Sequence, residues 1–257
     1  MRHAERVMGT VVSFDLRADA LESARVAAAL GSACFVLHEA DAVFSTWDPE
    51  SPVSRLRRGE ARRGELPRVV ADVLDRCAEA RALSGGWFDP WRMPGGVDPT
   101  GLVKGWALEQ AAAELREAGV AAAMVNGGGD IVAFGRPAED RPWRVGIRDP
   151  RPGGELAAIV EGAGAIATSG AYERGDHVLD PFSGEAATTL LSATVTGPDL
   201  ALADALATGL LAAGEEGLDR VVALDGYEAF LLRDDGSAAA TAGFGGETPL
   251  ADRLAPH

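Results

Sequence analysis

A change of texture near Gly119 constrains this chain more than any other feature. Before it, apolar residues recur at helical spacing over long stretches. After it come short strand-like runs, AAMV, DIVAF, WRVGI, LAAIV, AIATS, HVLD and LLSATVT, separated by turn residues. That alternation of short strand and turn predicts a largely antiparallel sheet. In the first half, Gly9 to Leu16 alternates as a strand, and Asp19 is placed to cap a helix reaching about Phe44. Further helices are predicted from about Pro67 to Leu83 and from Leu102 to Ala118, the latter stopped by Gly119 as a left-handed cap. The polar segment 45–65 and the Gly/Pro-rich segment 84–101 read as loops. Late in the chain, Leu200 to Ala213 reads as a helix. A short helix follows, then a hairpin of YEAFLLR and AAATAGF turning at Asp234-Asp235-Gly236. The expectation is one α+β domain over residues 1–245, a mainly antiparallel sheet flanked by helices, with a disordered tail over 246–257.

Charge and composition narrow the function classes. A formal net charge of −15 sets the chain against nucleic acid, since no basic stripe offsets phosphate repulsion. The densest basic run, Arg55 to Arg63, is broken by acid and glycine and reads as a solvated loop face. The two cysteines, Cys34 and Cys77, fall in helical apolar patterns and read as small core residues, and the four histidines are scattered. A sulfur- or histidine-rich zinc site is therefore not expected. No uninterrupted apolar run reaches the ~18 residues of a membrane span, and no signal-peptide core precedes the first strand. Cytoplasmic location is the expectation, with export open only if the true start lies upstream.

Four segments carry chemistry. In Leu200–Ala213 only Asp204 and Thr208 have polar side chains, and their spacing of four puts both on one helix face. Burying a carboxylate there calls for a partner. Either hard oxygen donors hold Mg²⁺ beside substrate phosphates, or Thr208 bonds its own backbone while Asp204 meets an arginine. The run Asn126-Gly127-Gly128-Gly129-Asp130 joins two strands. Its glycines let backbone N–H groups approach an anion or a flat ring, unless it is a plain hairpin turn. Asp98, Thr100 and Gly101 precede a helix start, where a phosphate is favoured, and Lys104 sits in the first turn, where lysine is more often simply solvated. Thr168 and Ser169 end a strand, and His177 stands between two polar turns, either as a general base for a hydroxyl nucleophile or as a structural histidine.

The order of these signals is more specific than any one of them. MGT at Met8–Thr10, FSTWDPESPVSRL, GGWFDP, DPTGLVKGWA, NGGGDI, ATSGAYER, HVLDPFSG and ADALATGL together resemble the FAD:protein FMN transferase (ApbE) family, from Met8 to about Phe244. The resemblance implies an ApbE or T-fold-like architecture. It also implies transfer of the FMN moiety of FAD, through its phosphate, to a Thr or Ser hydroxyl of an acceptor flavoprotein, with release of AMP. Position by position, Asp204, Thr208 and the Gly101 carbonyl would hold Mg²⁺. Met8, Trp47, Phe88, Asp89, Asp98 and Lys104 would contact FAD, and Leu179 would do so through its backbone. Trp87, Asn126, Gly127, Gly128, Thr168 and Ser169 join that binding set. His177 would be the base or would orient the acceptor hydroxyl.

Three departures from the family pattern stand out. Some members carry a second acid just before the metal-binding threonine, where this chain has Ala207, so the metal shell would hold one more water. The Trp47 position is often tyrosine. The segment between Asp89 and Asp98 is shorter than in many members. Two other readings of the same residues are an Mg²⁺-dependent FAD pyrophosphatase giving FMN and AMP, and a non-catalytic flavin-binding or delivery protein. Neither the acceptor nor the oligomeric state is legible.

Overall fold

Tight turns with left-handed backbone set the first four strands. The computed structural model describes residues 1–17, 23–170 and 178–247. β1 (Arg2–Val7) and β2 (Thr10–Arg17) are joined through Met8 and Gly9, with φ of 52° and 69°. β3 (Ala122–Gly127) and β4 (Asp130–Phe134) are joined through Gly128 and Gly129, with φ of 67° and 98°. Two successive positive-φ residues match the right-handed twist of the strands they connect. The main sheet has eight strands, ordered β1-β2-β3-β4-β7-β8-β9-β10, and every pairing in it is antiparallel. Its remaining members are β7 (Gly164–Gly170), β8 (Leu190–Gly197), β9 (Glu228–Arg233) and β10 (Ala238–Ala240). A second sheet, ordered β11-β6-β5, is built from β5 (Arg144–Arg148), β6 (Leu156–Glu161) and β11 (Gly246–Glu247).

Side-chain alternation places these layers. On β4 and β7, Val132, Ala165 and Ala167 join the large helical core, while Ile131 and Ile166 turn the other way onto Val145 of β5. On β9, Ala229 and Leu231 face the helices, and Phe230 and Leu232 meet Ile147, Ala157 and Ala158 of the second sheet. A two-residue period thus buries both faces of the main sheet. The helical layer contains α1 (Ser23–Phe44), α2 (Pro52–Arg57), α3 (Arg68–Leu83), α4 (Thr100–Glu117), α5 (Leu200–Ala213) and α6 (Leu218–Val222). α5 is apolar almost all round, and ten of its fourteen residues are buried, as expected of a helix enclosed by its neighbours.

The antiparallel α+β architecture and the long helices agree with the sequence reading, and Gly119 does adopt positive φ, 76°. Four details differ. The strand β1 precedes the expected Gly9–Leu16 strand. Within the expected polar loop 45–65, Ser51 caps α2 by accepting the Ser54 N–H, and Pro52 opens the helix. HVLD makes no strand among the described residues: Leu179 forms an isolated bridge with Ala186. Order also continues past Gly245, where Gly246 and Glu247 pair with Val160 and Ile159. Asp19 lies outside the described residues. α1 is long and apolar enough, over Ala24–Phe44, to meet the length and composition of a membrane span. Ser32, His38, Glu39 and Asp41 interrupt it, so a count of unbroken apolar residues passes over it. In the fold its Val26, Ala29, Leu30, Ala33, Leu37, Ala40 and Phe44 stripe is part of the core. Both cysteines are free, and burial pushes their thiols up to about 11 for Cys34 and about 12 for Cys77.

Candidate active site

Two glycines on α4 let α5 approach at backbone distance. A Cβ on Gly105 would lie 2.4 Å from the Leu200 carbonyl oxygen and 3.0 Å from Asp204 Cβ. One on Gly101 would lie 3.2 Å from both Thr208 Oγ1 and Phe88 Cε2. Residue numbers rise along α4 as they fall along α5, so the helices run antiparallel, Gly105 to Asp204 and Gly101 to Thr208. Asp204 is only 4% exposed, and its Oδ2 accepts the Gly105 N–H at 3.0 Å. Thr208 Oγ1 is 3.2 Å from Ser169 Oγ on β7. Two hydroxyls, one carboxylate and the glycine backbone of the α4 start are thereby gathered at one place.

Beside them lies a buried ion pair. Lys104 Nζ is 2.9 Å from Asp130 Oδ2, with Asp130 fully buried and Lys104 22% exposed. Asp130 Oδ1 accepts the Thr168 N–H at 3.1 Å, and Thr168 Oγ1 is 3.0 Å from Thr194 Oγ1. Burial raises the Asp130 carboxyl above its ordinary range, and the Lys104 ammonium pulls in the opposite direction. The pair ties the second turn of α4 to the β3–β4 turn and to the end of β7. Within that turn, Asn126 Oδ1 accepts the Gly129 N–H at 3.1 Å. A Cβ on Gly127 would touch Leu108, and one on Gly128 would come within 3.0 Å of Thr10 Oγ1. The hairpin reading of this glycine run is what the backbone adopts, and close packing accounts for two of its glycines.

The loop before α4 closes over the same place. Phe88 is buried between Gly101 and Gly209, and its N–H bonds Ser84 Oγ at 3.1 Å. Asp89 is also buried. It accepts from Arg81 Nε at 2.6 Å and from the Trp91 N–H at 3.0 Å. Trp87 meets Phe182 edge to face at 4.8 Å, and Arg92 donates to the Pro181 carbonyl at 2.8 Å, docking the turn after Leu179 onto this loop. Asp98 accepts from the Thr100 N–H and hydroxyl, at 3.1 and 2.6 Å, and pairs with Arg57 at 2.9 Å.

The structure therefore unites Phe88, Gly101, Lys104, Thr168, Ser169, Asp204 and Thr208 through short contacts, with Trp87, Asp89, Asp98 and Leu179 in the flanking loops. Trp47 is 88% exposed in the segment before α2. Met8 sits at the β1–β2 turn, its N–H bonded to Asp41 Oδ2 at 3.0 Å, and it is the only non-glycine residue at positive φ among the described residues. His177 lies outside the described residues.

Sequence reasoning missed two members. Asp130 stands in the sequence only as the end of a glycine run; its burial at the start of β4 demands a cation partner, which no local pattern identifies as Lys104. Arg57 lies in the basic run whose composition reads as a solvated face. Its guanidinium pairs with Asp98 and also donates to the Val97 and Pro94 carbonyls, at 3.0 and 2.9 Å.

Comparison with known proteins identifies the family and the fold. A family model described as the ApbE family matches residues 8–95 and 91–231. An FAD:protein FMN transferase of Rhodobacter capsulatus is 39% identical over 155 residues, covering 56% of this chain and 29% of that protein. One of Klebsiella pneumoniae is 33% identical over 156 residues, covering 56% of this chain and 45% of its own length. The match thus spans less than half of either relative. Among solved structures, the ApbE protein of Thermotoga maritima superposes with a TM-score of 0.82 at 21% identity, covering 95% of this chain and 97% of that one. The flavin transferase ApbE of Vibrio cholerae does so with a TM-score of 0.80 at 23% identity and the same coverage. At those identities the structural likeness speaks to the fold, while the two family-model matches, which together run from residue 8 to residue 231, make this chain a member of the ApbE family.

Proposed function

We propose that this chain is an Mg²⁺-dependent FAD:protein FMN transferase. A Thr or Ser hydroxyl of an acceptor flavoprotein attacks the phosphorus of the FMN half of FAD. The bond to the AMP phosphate breaks, and AMP leaves. The observation that carries this reading is the antiparallel contact of α4 and α5, which sets Gly101 against Thr208 and Gly105 against Asp204 beside Lys104.

The residues at that contact suit magnesium. Asp204, Thr208 and the Gly101 carbonyl offer only hard oxygen donors, and Mg²⁺ prefers one or two protein carboxylates plus water and substrate phosphate oxygens. The space beside Gly101 is one that a Cβ would crowd against Thr208 Oγ1. When bound, the ion supplies Lewis-acid neutralisation of charge on a pyrophosphate. Lys104, held by Asp130, adds a fixed positive charge at the start of α4, worth most where water is excluded. Phe88 lines the same place with a rigid apolar wall. Asp98 sets the first turn of α4 through Thr100. His177 is assigned the proton of the acceptor hydroxyl, a task for a group titrating near neutral pH.

The test is AMP release from FAD with Mg²⁺, with and without a candidate acceptor, followed by intact mass of the acceptor. Acceptor-dependent AMP and a mass gain of one FMN unit are expected, and both should stop on adding EDTA. Asp204→Ala should lower turnover by about a thousandfold, the equivalent of several kcal/mol of lost charge stabilisation. AMP and free FMN without acceptor would instead establish a hydrolase. FAD binding with no AMP in either arm would leave a binder.

A further inference from the structure

The inward face of β1 breaks the apolar rule. Val7 is buried in the core, yet the two preceding inward positions are His3 and Glu5. Facing them, α1 presents Cys34 and His38, one turn apart. Strand spacing of two and helix spacing of four put each pair on one side of its element. His3 Nε2 lies 3.2 Å from Glu5 Oε2, and His38 Nε2 lies 3.0 Å from Glu5 Oε1. A ring nitrogen of His3, a carboxylate oxygen of Glu5 and Cys34 Sγ all fall within 4.8 Å of one another. The donors of one tetrahedral zinc, at bond lengths of about 2.0–2.3 Å, stand roughly 3.3–3.8 Å apart. Side-chain rotations of about an ångström would therefore close this set on a single ion.

We infer a Zn²⁺ site on the β1–α1 contact, with His3, Glu5 and Cys34 as ligands and His38 holding the second oxygen of Glu5. The donor chemistry selects the metal. Imidazole, thiolate and carboxylate together suit zinc, whereas Mg²⁺ takes oxygen alone. A carboxylate and a thiolate balance the dication, and coordination strips the thiol proton outright. His38 acts as the outer partner that orients a ligating carboxylate. The site is separate from the α4–α5 contact and does not depend on the activity proposed there. β1 is an edge strand of the main sheet, so the ion would staple that edge to α1. The Met8 N–H bond to Asp41 lies further along the same helix.

The experiment uses the whole chain, stripped of metal. Zn²⁺ is titrated in competition with a chromophoric chelator, and Co²⁺ is titrated separately with absorption read in the near ultraviolet. One equivalent of zinc should bind, and cobalt should show a thiolate charge-transfer band. Cys34→Ser and His3→Ala should each weaken zinc binding by at least a hundredfold, and His38→Ala by about 10–100-fold. Zinc should raise the melting temperature of the unmodified chain and not that of the Cys34→Ser chain. Asp204→Ala should bind zinc as the unmodified chain does. A cobalt spectrum of the unmodified chain without a thiolate band overturns the site, needing no variant to fold. So does zinc affinity that survives both Cys34→Ser and His3→Ala.

Discussion

The Gly105 amide donates to Asp204 Oδ2 at 3.0 Å while the Gly105 α-carbon faces the Leu200 carbonyl, so one glycine sets both the spacing of two helices and the position of a buried carboxylate. Gly105→Ala would put a methyl 2.4 Å from a backbone oxygen, which cannot rotate away. Overpacking of this kind costs about 1–3 kcal/mol. The expected result is a lower urea midpoint and a loss of AMP release larger than the loss of folded protein explains. Gly31→Ala is the control. It lies in the exposed side of α1 with open space around its α-carbon, and should gain about 0.5–1 kcal/mol with turnover unchanged.

Lys104 and Asp130 are expected to behave as a unit. Removing one member of a buried pair costs about 3–5 kcal/mol, because a charge is left without compensation. Lys104 retains 22% exposure, which puts Lys104→Met at the lower end of that range. The double change Lys104→Met with Asp130→Asn should destabilise less than the sum of the two singles, with a coupling of about 0.5–3 kcal/mol. Denaturation of all four chains measures it. Strict additivity would mean that the pair contributes nothing.

Which parts of this site were readable in sequence follows from how local their signals are. Asp204 and Thr208 were visible because an otherwise apolar helix leaves two polar residues with no solvent face to occupy. The glycine turn of β3–β4 was visible because adjacent positive-φ residues favour glycine. β1 was not, since its inward face carries His3 and Glu5 in place of the apolar alternation that marks a strand. α2 is six residues long inside an Arg/Ser-rich run, too short for a periodic signal. Arg57 and Asp130 take their meaning from Asp98 and Lys104, partners far away in the chain, and no local pattern reports such a pairing.

Glu109 should give stability a pH dependence of defined sign. From α4 its Oε1 accepts the Leu200 N–H at 2.8 Å, at the start of α5, where Asp199 also caps the Leu202 N–H. Burial raises the Glu109 carboxyl above its ordinary 4.5, with the Leu200 amide acting in the opposite direction. A carboxyl whose pKa is higher folded than unfolded holds its proton more tightly in the folded state. Its contribution is full below the unfolded pKa and is lost as pH rises through the folded one. Glu109→Gln keeps an acceptor for Leu200 and does not titrate. Its stability relative to the unmodified chain should therefore improve as pH rises from the ordinary carboxyl value of 4.5 through the raised folded one, and then level off. Urea midpoints across that range provide the check, and a difference that stays flat with pH would remove Glu109 as the cause.

Arg57 should control the entrance of α4 without touching α5. One guanidinium binds Asp98 and the carbonyls of Pro94 and Val97. Gly96, at φ 108°, packs its α-carbon side against the Arg57 backbone, where a Cβ would fall 2.7 Å from the carbonyl oxygen. Hydrogen bonds to charged groups contribute about 1.5–3 kcal/mol. Arg57→Ala should therefore raise the KM for FAD by about tenfold or more, through loss of order in the 94–98 segment and in the Asp98 carboxylate. Arg57→Lys should recover little of this, since an ammonium cannot reproduce a planar fork serving three acceptors. Turnover at saturating FAD should fall less than kcat/KM, because Asp204, Thr208 and Lys104 stay in place. Steady-state kinetics of both variants decide it. A fall confined to kcat, with KM unchanged, would instead make Arg57 part of the chemical step.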